Sequence, residues 1–108
     1  MIQAELKIEN LKLRRKIMLT ICKYTVPVVD YFFLDLPLGA KILSVQEQYD
    51  RPQIWALVDP QNPKETRNFR LVGAGHPIKE EKEILNFIGA FQLEKGTFVS
   101  HVFEIKKE

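Results

Sequence analysis

The chain predicts a mainly β fold: a small antiparallel β-sandwich or partly open barrel of six to seven strands, with one short helix and a helix-forming N-terminal extension. Three observations predict it. Short runs rich in β-branched and aromatic residues recur at close spacing, turn-forming Pro, Gly, Asp and Asn separate them, and few helical residues lie between. A parallel sheet would need strands alternating with helix-length segments, which this order does not offer.

Residues 1–17 differ in texture from the rest of the chain. Ala4, Glu5, Leu6, Lys7, Leu11, Lys12 and Leu13 favour a helix, and Ile2, Leu6, Leu13 and Ile17 share one helical face. Ile2, Ala4, Leu6 and Ile8 also alternate as a strand would. The domain proper is read as 18–108. Codons for Arg14-Arg15 can spell a purine-rich ribosome-binding sequence ahead of Met18, so one reading starts translation at Met18. The other makes 1–17 a basic amphipathic leader. N-terminal mass spectrometry of the native protein separates the two.

The first strand, 19–26, carries Ile21, Thr25 and Val26 and stops at Pro27, which has no N–H for a ladder. Residues 31–36 form the second, closed by a turn at Pro37-Leu38-Gly39-Ala40. In 42–49, Leu43, Val45 and Tyr49 fall on one face and Ser44, Gln46 and Gln48 on the other, the pattern of a strand with one wet side. Asp50-Arg51-Pro52 reads as a turn into 54–58, apolar on both faces and so a central strand. Asp59 to Pro63 is a proline-bracketed loop. In the return strand 66–72, Arg67, Phe69 and Leu71 share one face, and Asn68 and Arg70 the other. Gly73 and Gly75 permit positive φ or close backbone approach. Residues 79–85 read as one or two helical turns. Strands 87–93 and 97–105 form the clearest hairpin, with Gly96 in the left-handed position of the Glu94-Lys95-Gly96 turn.

Composition narrows the function. A chain of 108 residues, 45% hydrophobic and 28% charged, is a single globular domain with no run long enough to cross a bilayer. One cysteine, Cys22, excludes an internal disulfide and suits a reducing cytoplasm. Of the net charge of +2, residues 1–16 carry +3 (Lys7, Lys12, Arg14, Arg15 and Lys16 against Glu5 and Glu9), leaving −1 for the rest. The body therefore lacks the concentrated basic face that binding duplex nucleic acid requires.

Catalytic and metal motifs are equally thin. His76 and His101, the two histidines, have no close His or Cys neighbour in the sequence, so neither metal nor cofactor is expected. Gly73-Ala74-Gly75-His76 comes after a strand without opening a long helix and is not a dinucleotide loop. Binding chemistry is better represented. Trp55 and Tyr49 offer rings for stacking, Arg67 and Arg70 planar forks for phosphate or carboxylate, and Gly73, Gly75 and His76 a turn with exposed donors. Each also has a structural reading: Trp55 as core, the arginines paired with Asp59 or Glu65, the histidine capping a turn.

The segments Lys23-Tyr24-x-Val26, Pro37-x-Gly39-Ala40-x-Ile42-Leu43-Ser44-Val45, Trp55-Ala56-Leu57-Val58-Asp59, Phe69-x-x-Val72-Gly73-x-Gly75-His76-Pro77, Phe87-Ile88-Gly89 and His101-Val102-Phe103-Glu104 resemble a family of small uncharacterised proteins common in phages and prophages. The resemblance covers about residues 19–104, and Ala74 stands where threonine is expected. It implies a phage accessory gene expressed in the cytoplasm of a bacterial host, and no particular activity. By analogy with small phage proteins that act on host defence, the leading expectation is a non-enzymatic protein that sequesters a small anionic, nucleotide-like ligand, using Trp55, Tyr49, Arg67, Arg70, Gly73, Gly75 and His76. A homo-oligomer is expected, because so small a chain encloses a ligand more readily between subunits. The alternatives are a protein-binding inhibitor of a host defence protein or a virion component, using a strand edge or apolar patch, and a small hydrolase or lyase with His76 as base beside Asp59.

Overall fold

A computed structural model describes residues 17–107; the helix expected within 1–17 falls almost wholly outside them. The strands in chain order are β1 (Thr20–Thr25), β2 (Tyr31–Pro37), β3 (Lys41–Gln48), β4 (Arg51–Val58), β5 (Lys64–Gly73), β6 (Leu85–Leu93) and β7 (Phe98–Ile105). They form two antiparallel sheets, a three-stranded sheet in the order β1-β4-β3 and a four-stranded sheet in the order β2-β5-β7-β6. The expected β-sandwich is therefore observed, and it does not close into a barrel. The helix expected over 79–85 is a single 3-10 turn, Lys82–Ile84. Among the described residues no helix is long and apolar enough to cross a membrane.

Alternation places the core. Ile54, Ala56 and Val58 of β4 point inward, and Ile54 packs with Val45 of β3 against Phe32, Phe69, Leu71, Phe91 and Val102 of the larger sheet. Phe32 and Phe69 are direct cross-strand partners whose rings stack at 5.0 Å. A second buried group, Leu36, Ala40, Ala56 and Val58, fills the other end. Beside the β3 edge the sheets approach so closely that a Cβ on Gly89 of β6 would lie 3.2 Å from Val45 Cβ.

Two local departures from the sequence reading matter. The β3–β4 turn is Tyr49-Asp50, with φ of 53° and 59°, so Arg51 and Pro52 belong to β4 and not to the turn. Two consecutive positive φ values match the right-handed twist of a tight hairpin, although Asn-Gly is the usual chemistry there. A bulge between Ile42 and Ser44 also breaks the expected alternation of β3. Val45 enters the core while Leu43 stays exposed.

Candidate functional site

The structure separates the residues that the sequence grouped. Arg67 and Arg70 lie three apart on β5, so the pleat sends them to opposite faces of the four-stranded sheet. On the inner face, Arg67 donates to Glu104 through Nε at 2.6 Å and Nη2 at 2.8 Å, and through Nη1 to the Ala40 carbonyl at 2.5 Å. This fork binds β5 to β7 and to the end of the β2–β3 turn. Glu104, by accepting these hydrogen bonds, holds the guanidinium above its ordinary pKa. Hollows of about 340 and 400 Å³ open on either side of the pair. Their walls carry lysines and glutamates together, and the arginine itself is already matched by its carboxylate.

On the outer face, Arg70 lies under the Tyr31 ring, guanidinium carbon to ring centroid 4.6 Å. Its Nε donates to Glu80 at 3.1 Å and its Nη1 to the Leu71 carbonyl at 2.7 Å. The Tyr31 hydroxyl donates to the same Glu80 carboxylate. Glu80 thus ties the segment between β5 and β6 across the sheet as a strap.

Of the turn residues Gly73, Gly75 and His76, His76 shares a hollow with Arg70. The His76 N–H donates to the Gly73 carbonyl at 3.1 Å, and Gly75, with φ of 83°, takes the third position of this turn. Gly73 lacks the Cβ that would sit 3.2 Å from His76 Nδ1, which lets the imidazole lie directly on the backbone. Arg70, His76, Lys79 and Asp30 share a hollow of about 240 Å³, and a second of about 170 Å³ lies between His76, Val29 and Phe98.

Trp55 and Tyr49 are elsewhere. Trp55 sits on the outer face of the smaller sheet, half-buried, with Lys23 Nζ 5.9 Å from its ring centroid. Tyr49 stands at the tip of the β3–β4 hairpin, 91% exposed. Asp59, the suggested orienter of His76, accepts a hydrogen bond from the Gln61 N–H at 3.0 Å within its own loop. The expected stacking platform and the expected cationic cluster therefore do not converge in one chain.

What the strand registers do assemble is an aromatic face. Tyr31, Arg70, Phe103 and Phe87 form one row across all four strands of the larger sheet, and Phe33, Asn68, Ile105 and Leu85 the next. Phe33 is 61% exposed, Phe87 56% and Tyr31 51%. Phe87 meets Phe103 edge-on at 5.5 Å, with His101 beside it. The period-2 placing of Tyr31 and Phe33 on β2 is the sequence signal for this face, but one strand's alternation does not reveal which neighbours extend it.

A family model described as a domain of unknown function, DUF7352, matches residues 18–108. Neither the curated proteins nor the solved structures give a match.

Proposed function

For a chain that belongs to the DUF7352 family, a domain of unknown function, we propose a non-enzymatic role: binding another protein through the outer face of the four-stranded sheet. The observation that carries this reading is the trio of half-exposed rings Tyr31, Phe33 and Phe87 on one face whose single guanidinium is already neutralised by Glu80. Exposed apolar patches of this kind favour protein partners, and aromatic anchors supply most of the energy at such contacts. Among the described residues the guanidinium beside these rings is already paired with Glu80, so the face suits single-stranded nucleic acid poorly, because a stacking platform also needs cations for the backbone. The partner expected is correspondingly apolar and weakly charged. The resemblance to phage and prophage proteins supports the finer reading, a phage accessory protein acting in the host cytoplasm on a bacterial protein, a component of host defence being the leading target class.

The test is the paired substitution Phe33→Ser and Phe87→Ser. Both side chains are exposed, so fold and solubility should persist while capture of the wild-type protein's partner from host lysate falls at least ~10-fold, the loss of about 1.4 kcal/mol. Undiminished capture of the same partner would remove this face from the interface.

A second reading keeps the small anionic, nucleotide-like ligand. It rests on the hollow shared by Arg70, His76 and Lys79. Asp30 in its wall and Glu80 on Arg70 offset much of the positive charge there, which is why it ranks second. Thermal shift against cyclic and linear nucleotides, with recovery of intact ligand, separates sequestration from hydrolysis and both from protein binding.

A further inference from the structure

We propose that β1 pairs edge to edge with β1 of a second copy of this chain, joining two three-stranded sheets into one continuous sheet of six strands. The four sheet edges differ in a way that singles out β1. The β3 edge is broken by its bulge and lies against Gly89 of β6. The β6 edge carries a bulge between Phe87 and Gly89, and β2 ends on Pro37. Bulges, prolines and cover are the devices by which proteins prevent strands from adding to an edge. Among the described residues, β1 has none of them. Its register against β4 runs unbroken from Thr20↔Val58 to Thr25↔Gln53, it contains no proline, and its one charge, Lys23, leans over Trp55. Ile21 stands 59% exposed along it, and Leu19, just before its first residue, 58%.

Backbone polarity fixes how a partner must approach. The Val26 N–H donates to the Pro52 carbonyl at 3.0 Å, so the even-numbered residues of this strand direct their backbone groups to β4. Antiparallel alternation then turns those of Ile21, Lys23 and Thr25 toward the open edge. A two-fold axis at Lys23 would set two ammonium groups opposite each other. One at Ile21 would leave Lys23, Tyr24 and Thr25 all facing residues outside the strand, where an axis at Cys22 leaves only Thr25. An axis at Cys22 pairs Leu19 with Thr25, Thr20 with Tyr24 and Ile21 with Lys23, brings Cys22 opposite its own copy, and creates no like-charge pair. That self-complementarity is what an isologous contact between identical chains demands, and it is the reason for assigning the edge to a second copy. The pairing also covers Cys22 and Tyr24, half-buried where the sandwich opens.

The arrangement predicts its own reporter. Cys22 is the chain's single cysteine, so any disulfide joins two chains. Facing residues of a non-hydrogen-bonded antiparallel pair have Cα atoms ~4.5 Å apart, within disulfide reach. Light scattering should give twice the chain mass, and diamide should convert most of the purified protein into a Cys22-linked dimer. Lys23→Pro should yield a monomer, because it removes a donor used only by the second copy. Ile21→Lys, at an exposed position, should weaken dimerisation ~10-fold or more by setting lysine against lysine. It decides the matter if the proline variant does not fold. A monomer at all soluble concentrations, no diamide-linked dimer, or a dimer that survives Ile21→Lys would overturn the proposal. Phe33→Ser with Phe87→Ser must leave the dimer intact, since those rings are on the other sheet; this keeps the test separate from that of the protein-binding face.

Discussion

Arg67 and Arg70 are the same residue type on one strand, three positions apart, and they serve opposite sides of it. Arg67 faces the interior side, with 16% of its side chain exposed, and is held by both oxygens of Glu104 and a backbone carbonyl. Its partners lie on β7 and the β2–β3 turn, so it joins pieces of the framework. Arg70 is as well covered, but its carboxylate comes from the strap between β5 and β6, and its lid is the Tyr31 ring. The first pair should matter to the whole fold and the second to one segment. Neither arginine is free to be the anion clamp that its side chain alone suggests.

Arg67→Ala should have the largest effect. It removes a bidentate partner from Glu104 and leaves that carboxylate largely enclosed, a change that costs roughly 2–3 kcal/mol once solvent access is allowed for. For a domain of this size, Tm should fall by roughly 10–20 °C. Replacing the pair together, Arg67→Met with Glu104→Leu, should recover much of the loss, because no charge then remains unpaired. Thermal unfolding of the three proteins checks both statements. A drop no larger than that of Arg70→Ala would erase the distinction between framework and strap.

Arg70→Ala should act locally. Amide exchange at residues 74–81 should accelerate, while the amides of β4, β5 and β7 keep their protection. Global loss of protection would mean that the strap is part of the framework after all. Loss of strap protection should also uncover more of the Tyr31 side of the aromatic face, which links this variant to partner capture.

Much of this contrast is legible in the sequence. The alternation of β5 already sets Arg67 beside Phe69 and Leu71, and Arg70 beside Asn68, so a single hollow holding both guanidiniums conflicts with the pleat. The strand positions, the central place of β4 and the last hairpin also follow from period and turn chemistry. Other features cannot be read there. A tyrosine at φ of 53° in the β3–β4 turn gives no chemical sign of itself, so turn chemistry alone places the turn one to two residues late. Glu80 lies 10 positions from Arg70 and 49 from Tyr31, and only the folded strap brings the three together. The aromatic face needs the order β2-β5-β7-β6, which no single strand encodes.

The smallest effect concerns the strap's hydrogen bond from Tyr31 to Glu80. Glu80 is held below the usual carboxylate pKa, first by the Tyr31 hydroxyl and then by its own backbone N–H and Arg70, while the bond to Tyr31 raises the phenol above its ordinary value. A depressed carboxylate contributes stability that is fully present above its unfolded value, about 4.3, and is lost as pH falls through the lower folded value. A raised phenol contributes stability present below its unfolded value, about 10, and lost as pH rises through the higher folded one. The strap should therefore be tightest between these limits. Tyr31→Phe removes the leading cause of both shifts, so the variant should be slightly less stable than wild type near neutrality. The gap should close as pH is taken down through the carboxylate range, and close again in strong base. Tm measured across pH for the two proteins, with the Glu80 titration followed by NMR, reads both arms. A gap that stays constant with pH would show that the hydroxyl does not pin the strap, leaving Arg70 alone to hold it.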